Sequence, residues 1–271
     1  MMEEREQIKP PEKTVTMLAP GVEMPPTEDE LPYDDGMPME THRHVLQMFL
    51  LIEVLNHYWA EREDGFVGGD MFVYFSPDQV YTHDFRGPDV FVVQGVSKRS
   101  RKSWVVWQEG KAPDVVIELL SETTAEKDRN EKKLIYQDRL RVPEYFWYDP
   151  YSGELAGFSL RDGKYVAIEP DADGRLVSQQ LGLMLRRWEG VYQREEATWL
   201  RWATPDGVLL PTPKEQAEQE HQQSLAAQQQ AEQAQQQAKE AQRQAEEERQ
   251  RAAELEALLA RYRERLGDLP E

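Results

Sequence analysis

Asp114-Val115-Val116-Ile117-Glu118-Leu119-Leu120 (DVVIELL, residues 114–120) is the stretch on which the fold reading turns. A strand with one wet face alternates apolar and polar residues, whereas a strand covered on both faces reads as a nearly continuous apolar run. This run is short and rich in β-branched residues, so it predicts a central buried strand. Glu118 breaks the pattern. A carboxylate buried without a partner costs several kcal/mol or takes up a proton, so a cation, a set of hydrogen bonds or a metal must compensate it.

Working outward, residues 124–140 read as a helix, with Thr123 or Thr124 available to cap it. Glu144 to Tyr148 reads as a further strand, closed by the turn Asp149-Pro150. A helix between two strands predicts a right-handed parallel crossover. Upstream, Asp89 to Val96 (DVFVVQGV) is a second strand, Lys98 to Lys102 a basic turn, and Ser103 to Gln108 a candidate hairpin strand. Phe66 to Phe75 reads as a strand with Gly68-Gly69 as a bulge or a point of close approach. A helix is expected from about Glu40 to Arg62, because Val45, Met48, Ile52, Leu55 and Trp59 recur at helical spacing. Residues 154–210 read as short antiparallel strands. The fold class is therefore α/β, a mixed sheet flanked by helices. Such an architecture hosts many functions and decides none.

The chemistry rests on which carboxylate joins Glu118. Asp114 shares its strand face, but four residues of strand separate them by about 13 Å, too far to share one metal. Asp89 is the other candidate. If the strand starting at Asp89 pairs antiparallel with 114–120, Asp89 becomes a near neighbour of Glu118 and residues 97–113 form an excursion. If 103–108 instead lies between the two strands, the acids separate. Two close carboxylates suit Mg²⁺ or Mn²⁺, and such a metal activates water for attack on phosphorus. Lys132, Ile135, Tyr136 and Leu140 share one helical face. Lys132 is thus directed at the sheet, where it would offset developing negative charge, and Lys133 sits one step round. The blander alternatives are an ion pair for Glu118, a contact from Lys132 to Asp128 one turn back, and turn roles for Asp89 and Asp114, each of which follows a proline.

Five stretches carry a family resemblance: FRGPDVFVV (85–93), PDVVIELLSETTAEKD (113–128), EKKLIYQDRLRVPEYFWYDP (131–150), DDGMPMETHRHVLQMFLLIEVL (34–55) and FVGGDMFVYF (66–75). Together they resemble the Uma-two family of restriction endonucleases, over roughly residues 30–210. The resemblance implies a PD-(D/E)XK nuclease-like fold with Asp89 as the acid of the first motif and Glu118 as the acid of the second. Leu120 stands where the general motif has lysine, and the resemblance implies Lys132 as its replacement. It further implies Glu40 or His44, one turn apart on the first helix, as an added ligand or water contact. It also implies a divalent metal and a nucleic-acid substrate, DNA in the first instance. Where the family often has Ser-Pro-Ser-Thr, this chain has Ser121-Glu122-Thr123-Thr124.

Composition sets limits on these readings. The chain has 271 residues and a net charge of −19. Beyond Pro213 there is no Trp or Phe, and the 8 basic and 13 acidic residues there contribute −5, leaving −14 for residues 1–213. An acidic body opposes non-specific nucleic-acid binding and keeps a second reading in view, a non-catalytic nuclease-like interaction protein. The basic turn at 98–102 offsets part of that acidity and is a candidate grip for a phosphate backbone. With no cysteine, disulfides, thiolate zinc sites and thiol catalysis are excluded. The five histidines show no compact metal spacing beyond His42-x-His44. Gly68-Gly69 is followed by nothing like a phosphate loop. No signal-peptide core or spanning helix is expected, so the reading is of a soluble cytoplasmic protein.

Residues 1–39, rich in Pro, Glu and Asp, read as an extended or partly disordered arm, 40–213 as the domain, and 214–271 as a helical tail. In the tail, fifteen positions from Ala217 to Leu266 alternate spacings of three and four, and twelve of them are apolar. This is a coiled-coil seam. Most of its residues are Ala, so it is expected to bind weakly except near Leu255 to Leu266, with homodimerisation as the candidate partner relation. Arg251 and Glu256 are placed to pair across a parallel dimer.

Overall fold

The computed structural model describes residues 17–19, 22–23, 26–27, 41–76, 85–121 and 128–266. The chain divides into two compact units, Met1–Pro213 and Lys214–Glu271.

Within the first unit, the central sheet has six strands. Strands β1 (Met17–Ala19) and β2 (Val22–Glu23) form a separate antiparallel pair within the N-terminal arm; most of residues 1–39 lies outside the described residues. Helix α1 spans His42–Tyr58, shorter at both ends than the expected 40–62. Thr41 caps it, its hydroxyl accepting from the His44 N–H at 3.4 Å, which satisfies one of the first-turn donors. The predicted stripe is partly offset. Met48, Leu55 and Trp59 are buried, but Leu51 and Val54 lie at the centre of the buried face, while Val45 and Ile52 sit at its margin.

The expected strand 66–75 is two pieces, β3 (Gly65–Gly68) and β4 (Val73–Tyr74). Asp70 separates them in a left-handed conformation, φ 48°, which a continuous strand cannot contain. β5 (Phe85–Arg86), β4 and β7 (Trp104–Val105) make a small side sheet in which β4 and β7 run parallel. Residues 103–108 are therefore not a hairpin strand. β7 passes directly into a single helical turn, α2 (Val106–Glu109).

The remaining strands of the central sheet are β6 (Val90–Gln94), β8 (Val115–Leu119), β9 (Glu144–Tyr148), β10 (Leu155–Arg161) and β11 (Lys164–Ala167), in the order β11-β10-β9-β8-β6-β3. β8 and β9 are parallel and all other neighbours antiparallel. That is the mixed α/β sheet expected from the sequence. The parallel pair is joined through helix α3, residues 128–140, built of i→i+5 turns at Asp128–Lys132 and Tyr136–Leu140 around a short α segment, Lys133–Ile135. The start of the expected helix, 122–127, lies outside the described residues. α3 ends at Arg141, which adopts a left-handed conformation, and Pro143, two residues on, disfavours further helix at Val142.

All five residues of β8 are buried, as the continuous apolar run requires. One face of the sheet, with Val90, Val92, Val115, Ile117 and Phe146, packs on α1 and on a second sheet of β12 (Leu176–Ser178), β13 (Leu183–Tyr192) and β14 (Glu195–Ala203). The other face, with Phe91, Val93, Val116 and Tyr145, packs on α3 through Tyr136 and Leu140. Each fully buried Leu, Val or Phe contributes about 1.5–3 kcal/mol relative to exposure. Double-sided burial of the middle strands is thus the main cohesive term. No helix among the described residues is long and apolar enough to cross a membrane.

The second unit is dominated by one helix, α4 (Pro213–Leu266), of 54 residues. At 1.5 Å per residue it extends about 80 Å.

Candidate active site

The decisive pairing is β6 with β8. They are direct antiparallel neighbours, with Val90 opposite Ile117, so one step further along the register sets Asp89 opposite Glu118. The alternative arrangement, with 103–108 between them, is absent. The Asp89 carboxylate makes the closeness explicit. Its Oδ2 accepts from the Leu119 backbone N–H at 2.6 Å, and its Oδ1 lies 2.8 Å from His44 Nε2 on α1. His44 itself is buried.

Glu118 is completely buried, at 0% exposure. Being an even-numbered residue of β8, like Val116, it points to the α3 face. Two donors from that helix meet it. Lys132 Nζ lies 3.0 Å from Oε2, and the Tyr136 hydroxyl donates to Oε1 at 2.6 Å. Residues four apart on a helix share a face, so one segment delivers both. Tyr136 is wholly buried. Burial first, and the Glu118 charge second, hold its phenol well above its ordinary pKa, with Asp89 adding to the effect. Tyr136 therefore serves as a neutral donor. The side chain of Asp128, the rival partner for Lys132, lies outside the described residues.

Lys133 faces elsewhere. Its Nζ lies 3.3 Å from the centre of the Phe158 ring, and partial burial lowers its pKa. Asp114, at the other end of β8, accepts from the Gln94 N–H at 2.7 Å and pairs with Lys111 at 2.8 Å. It is a clamp between strands, remote from Glu118 as the strand spacing predicts. Glu40 lies outside the described residues.

The basic turn is less available than its charge suggests. The Arg101 side chain is fully buried, bonded to Glu109 at 2.8 Å and stacked over Trp104, and Arg99 also pairs with Glu109. One carboxylate outside the turn thus engages two of its four cations, and Arg101 is excluded as a phosphate contact.

Gly69 explains how Asp89 is seated. A β-carbon there would stand 2.5 Å from the Asp89 carbonyl oxygen and closer still to Ile52 Cδ1. The Asp70 N–H also bonds the Pro88 carbonyl at 3.2 Å. The close approach anticipated at Gly68-Gly69 is therefore backbone against backbone, directly behind the candidate ligand.

Sequence reasoning missed two features. It assigned Tyr136 only to the apolar face, although its place one turn after Lys132 was the available signal. It took His44 as an added ligand or water contact and did not foresee that the ring also holds Asp89. Among the described residues, no cluster of three or more His, Asp or Glu is gathered as a ready metal cage. The donor set does have the chemistry of a hard divalent ion, with two carboxylates on adjacent strands and an ammonium already resting on one of them.

The model of a family described as "Putative restriction endonuclease" matches residues 23–188. The chain belongs to that family, which groups it with the nucleases. A crystal structure of a "putative nuclease" from Anabaena variabilis is similar to it at 20% identity and a TM-score of 0.38, over 55% of this chain and 87% of the other. No curated protein matches the sequence significantly.

Proposed function

We propose that this protein is a metal-dependent endonuclease that hydrolyses phosphodiester bonds, with DNA as the substrate. In this reading Asp89 and Glu118 hold a Mg²⁺ or Mn²⁺ ion, and Lys132 is the electrostatic helper. The observation that carries it is the β6–β8 pairing, which sets Asp89 against the backbone beside Glu118 while Lys132 reaches Glu118 from α3. A divalent ion bound there would polarise a phosphate oxygen and lower the pKa of its water.

The chain's own residues do the rest. His44 and the Leu119 N–H fix the two oxygens of Asp89. Tyr136 fixes one oxygen of Glu118, leaving the other on the Lys132 side. Lys132 is 17% exposed, so its ammonium is partly desolvated and would act strongly on charge developing at phosphorus.

The test is divalent-metal titration of wild type and Asp89→Ala, followed by cleavage assays on double-stranded DNA, single-stranded DNA and RNA. Wild type is expected to bind metal and cut DNA only in its presence, and Asp89→Ala to do neither. Wild type that neither binds metal nor cuts any substrate overturns the proposal. A second reading, a non-catalytic interaction protein with a nuclease-like body, is favoured by the −14 charge of residues 1–213 and by Lys132 already neutralising Glu118. Failure of cleavage across all substrates would favour it.

A further inference from the structure

We propose that helix α4 associates with a second copy of this chain as a parallel, in-register two-stranded coiled coil, held mainly between Ala252 and Leu266. This goes beyond the nuclease reading and does not depend on it.

From Ala217 to Arg265 every side chain of α4 is exposed. The large apolar ones include Leu255, Leu259 and Tyr262, each more than half exposed. All three fall on the a/d seam, with Ala252 one step before them. The long Ala stripe ahead of them buries little, so it is the residues flanking it, and not its seam, that bear on the argument.

The occupant is indicated by how charge is sorted around the seam. In heptad terms the flanking e and g positions from 223 to 244 are Gln223, Gln228, Gln230, Gln235, Gln237, Gln242 and Gln244, all uncharged. Over the same span the charged residues Glu232, Lys239, Glu240 and Arg243 occupy the outer b, c and f positions. A helix that only needs solubility has no reason to sort its charges this way. In a chain of net charge −19, neutral flanks let an identical helix approach over residues 223–244 without like-charge repulsion, which the seam leaves only at Glu220 and Glu248.

The orientation follows from the same pattern. In a parallel pair each g residue faces the e residue five positions on in the other copy. From Gln223 onward those pairs are Gln with Gln three times, then Gln244 with Arg249, Arg251 with Glu256, and Leu258 with Arg263. None repels and one attracts. Parallel register also sets Leu255, Leu259 and Tyr262 against their own counterparts. A fully overlapping antiparallel pair would set them against Ser224, Glu220 and Ala217, opposing large apolar side chains with small or charged ones and leaving voids.

The experiment is sedimentation equilibrium on the full chain over a concentration series. Wild type is expected to approach twice the chain mass of 31.6 kDa. Leu255→Glu with Leu259→Glu is expected to return it to a single chain mass. Ala253→Glu with Ala257→Glu adds the same charge at outer positions and is expected to leave the dimer intact. Since the chain has no cysteine, Ala252→Cys provides a clean orientation test: oxidation is expected to yield a covalent dimer on a non-reducing gel. A single chain mass at every concentration overturns the proposal. So does a dimer indifferent to the leucine pair, or one equally disrupted by the outer pair. A dimer that persists without cross-linking at position 252 overturns the parallel register.

Discussion

Glu118 and Glu144 stand on neighbouring parallel strands, and both are removed from solvent. Their surroundings differ in kind. Glu144 accepts from the Ser178 hydroxyl at 2.5 Å and from the N–H groups of Gln179 and Gln180 at 2.7 and 3.2 Å. These partners are neutral and lie at and just past the end of β12, so Glu144 ties the second sheet to the first. Glu118 instead meets an ammonium and a phenol on a helix, with a second carboxylate from the adjacent strand. Burial of an acid is common to both, and burial alone does not make a site. What separates them is the presence of a cation and another acid.

The sharpest way to break this comparison is to neutralise the acids in turn. Glu118→Gln and Asp89→Asn should each reduce metal-dependent cleavage to background while circular dichroism stays native, and Glu144→Gln should keep cleavage per folded molecule. Equal loss of cleavage from Glu144→Gln would dissolve the distinction. Next in size, Tyr136→Phe removes the neutral donor that orients Glu118. Metal affinity should fall about 10–100-fold, as for other residues that orient a ligand. Isothermal titration with Mg²⁺ or Mn²⁺ measures it, and an unchanged affinity would reduce Tyr136 to packing.

Glu144→Ala strands three donors and should cost about 1–3 kcal/mol, read from urea unfolding. Its pH dependence has a definite sign. Burial raises the Glu144 pKa above the ordinary 4.5 against the opposing pull of its hydrogen bonds. The folded state therefore holds this proton more tightly than the unfolded chain. Its contribution is full below pH 4.5 and is lost as pH rises toward the folded value. Wild type should show that component of stability loss, and Glu144→Gln should lack it. A component identical in both would assign it to another group. The smallest effect belongs to Lys133→Ala. Losing its contact with Phe158 should cost about 0.5–1 kcal/mol, without altering cleavage. A cleavage defect there would shift the helper role away from Lys132.

The central sheet was legible because its signal is local. VVIEL and EYFWY read as strands and are strands, and the segment between them returns the chain in parallel. The side sheet was not legible. Trp104-Val105 pairs in parallel with Val73-Tyr74 across about thirty residues of chain, a non-local contact that periodicity does not encode. The break at Asp70 depends on one left-handed residue, and aspartate, although enriched in that region, adopts it in a small minority of cases. At the site, Asp89, Glu118 and Lys132 could be proposed because an acid in an apolar run and a lysine on an apolar helical face both violate pattern. Tyr136 violates nothing, since a tyrosine suits a core face. Its place one turn after Lys132 was the one signal, and the hydroxyl contact itself is visible only in three dimensions. Glu144, a strand's first residue, likewise violates no pattern.

Gly69 contributes no charge, no hydrogen-bonding side chain and no apolar surface, yet the Asp89 main chain rests where its side chain would otherwise be. Tolerance to change in this protein is therefore not graded by nearness to the chemistry. A randomised library should retain several substitutions at exposed Leu134 while rejecting even alanine at Gly69, so a scan of polar groups alone would overlook one of the positions most restrictive to divergence.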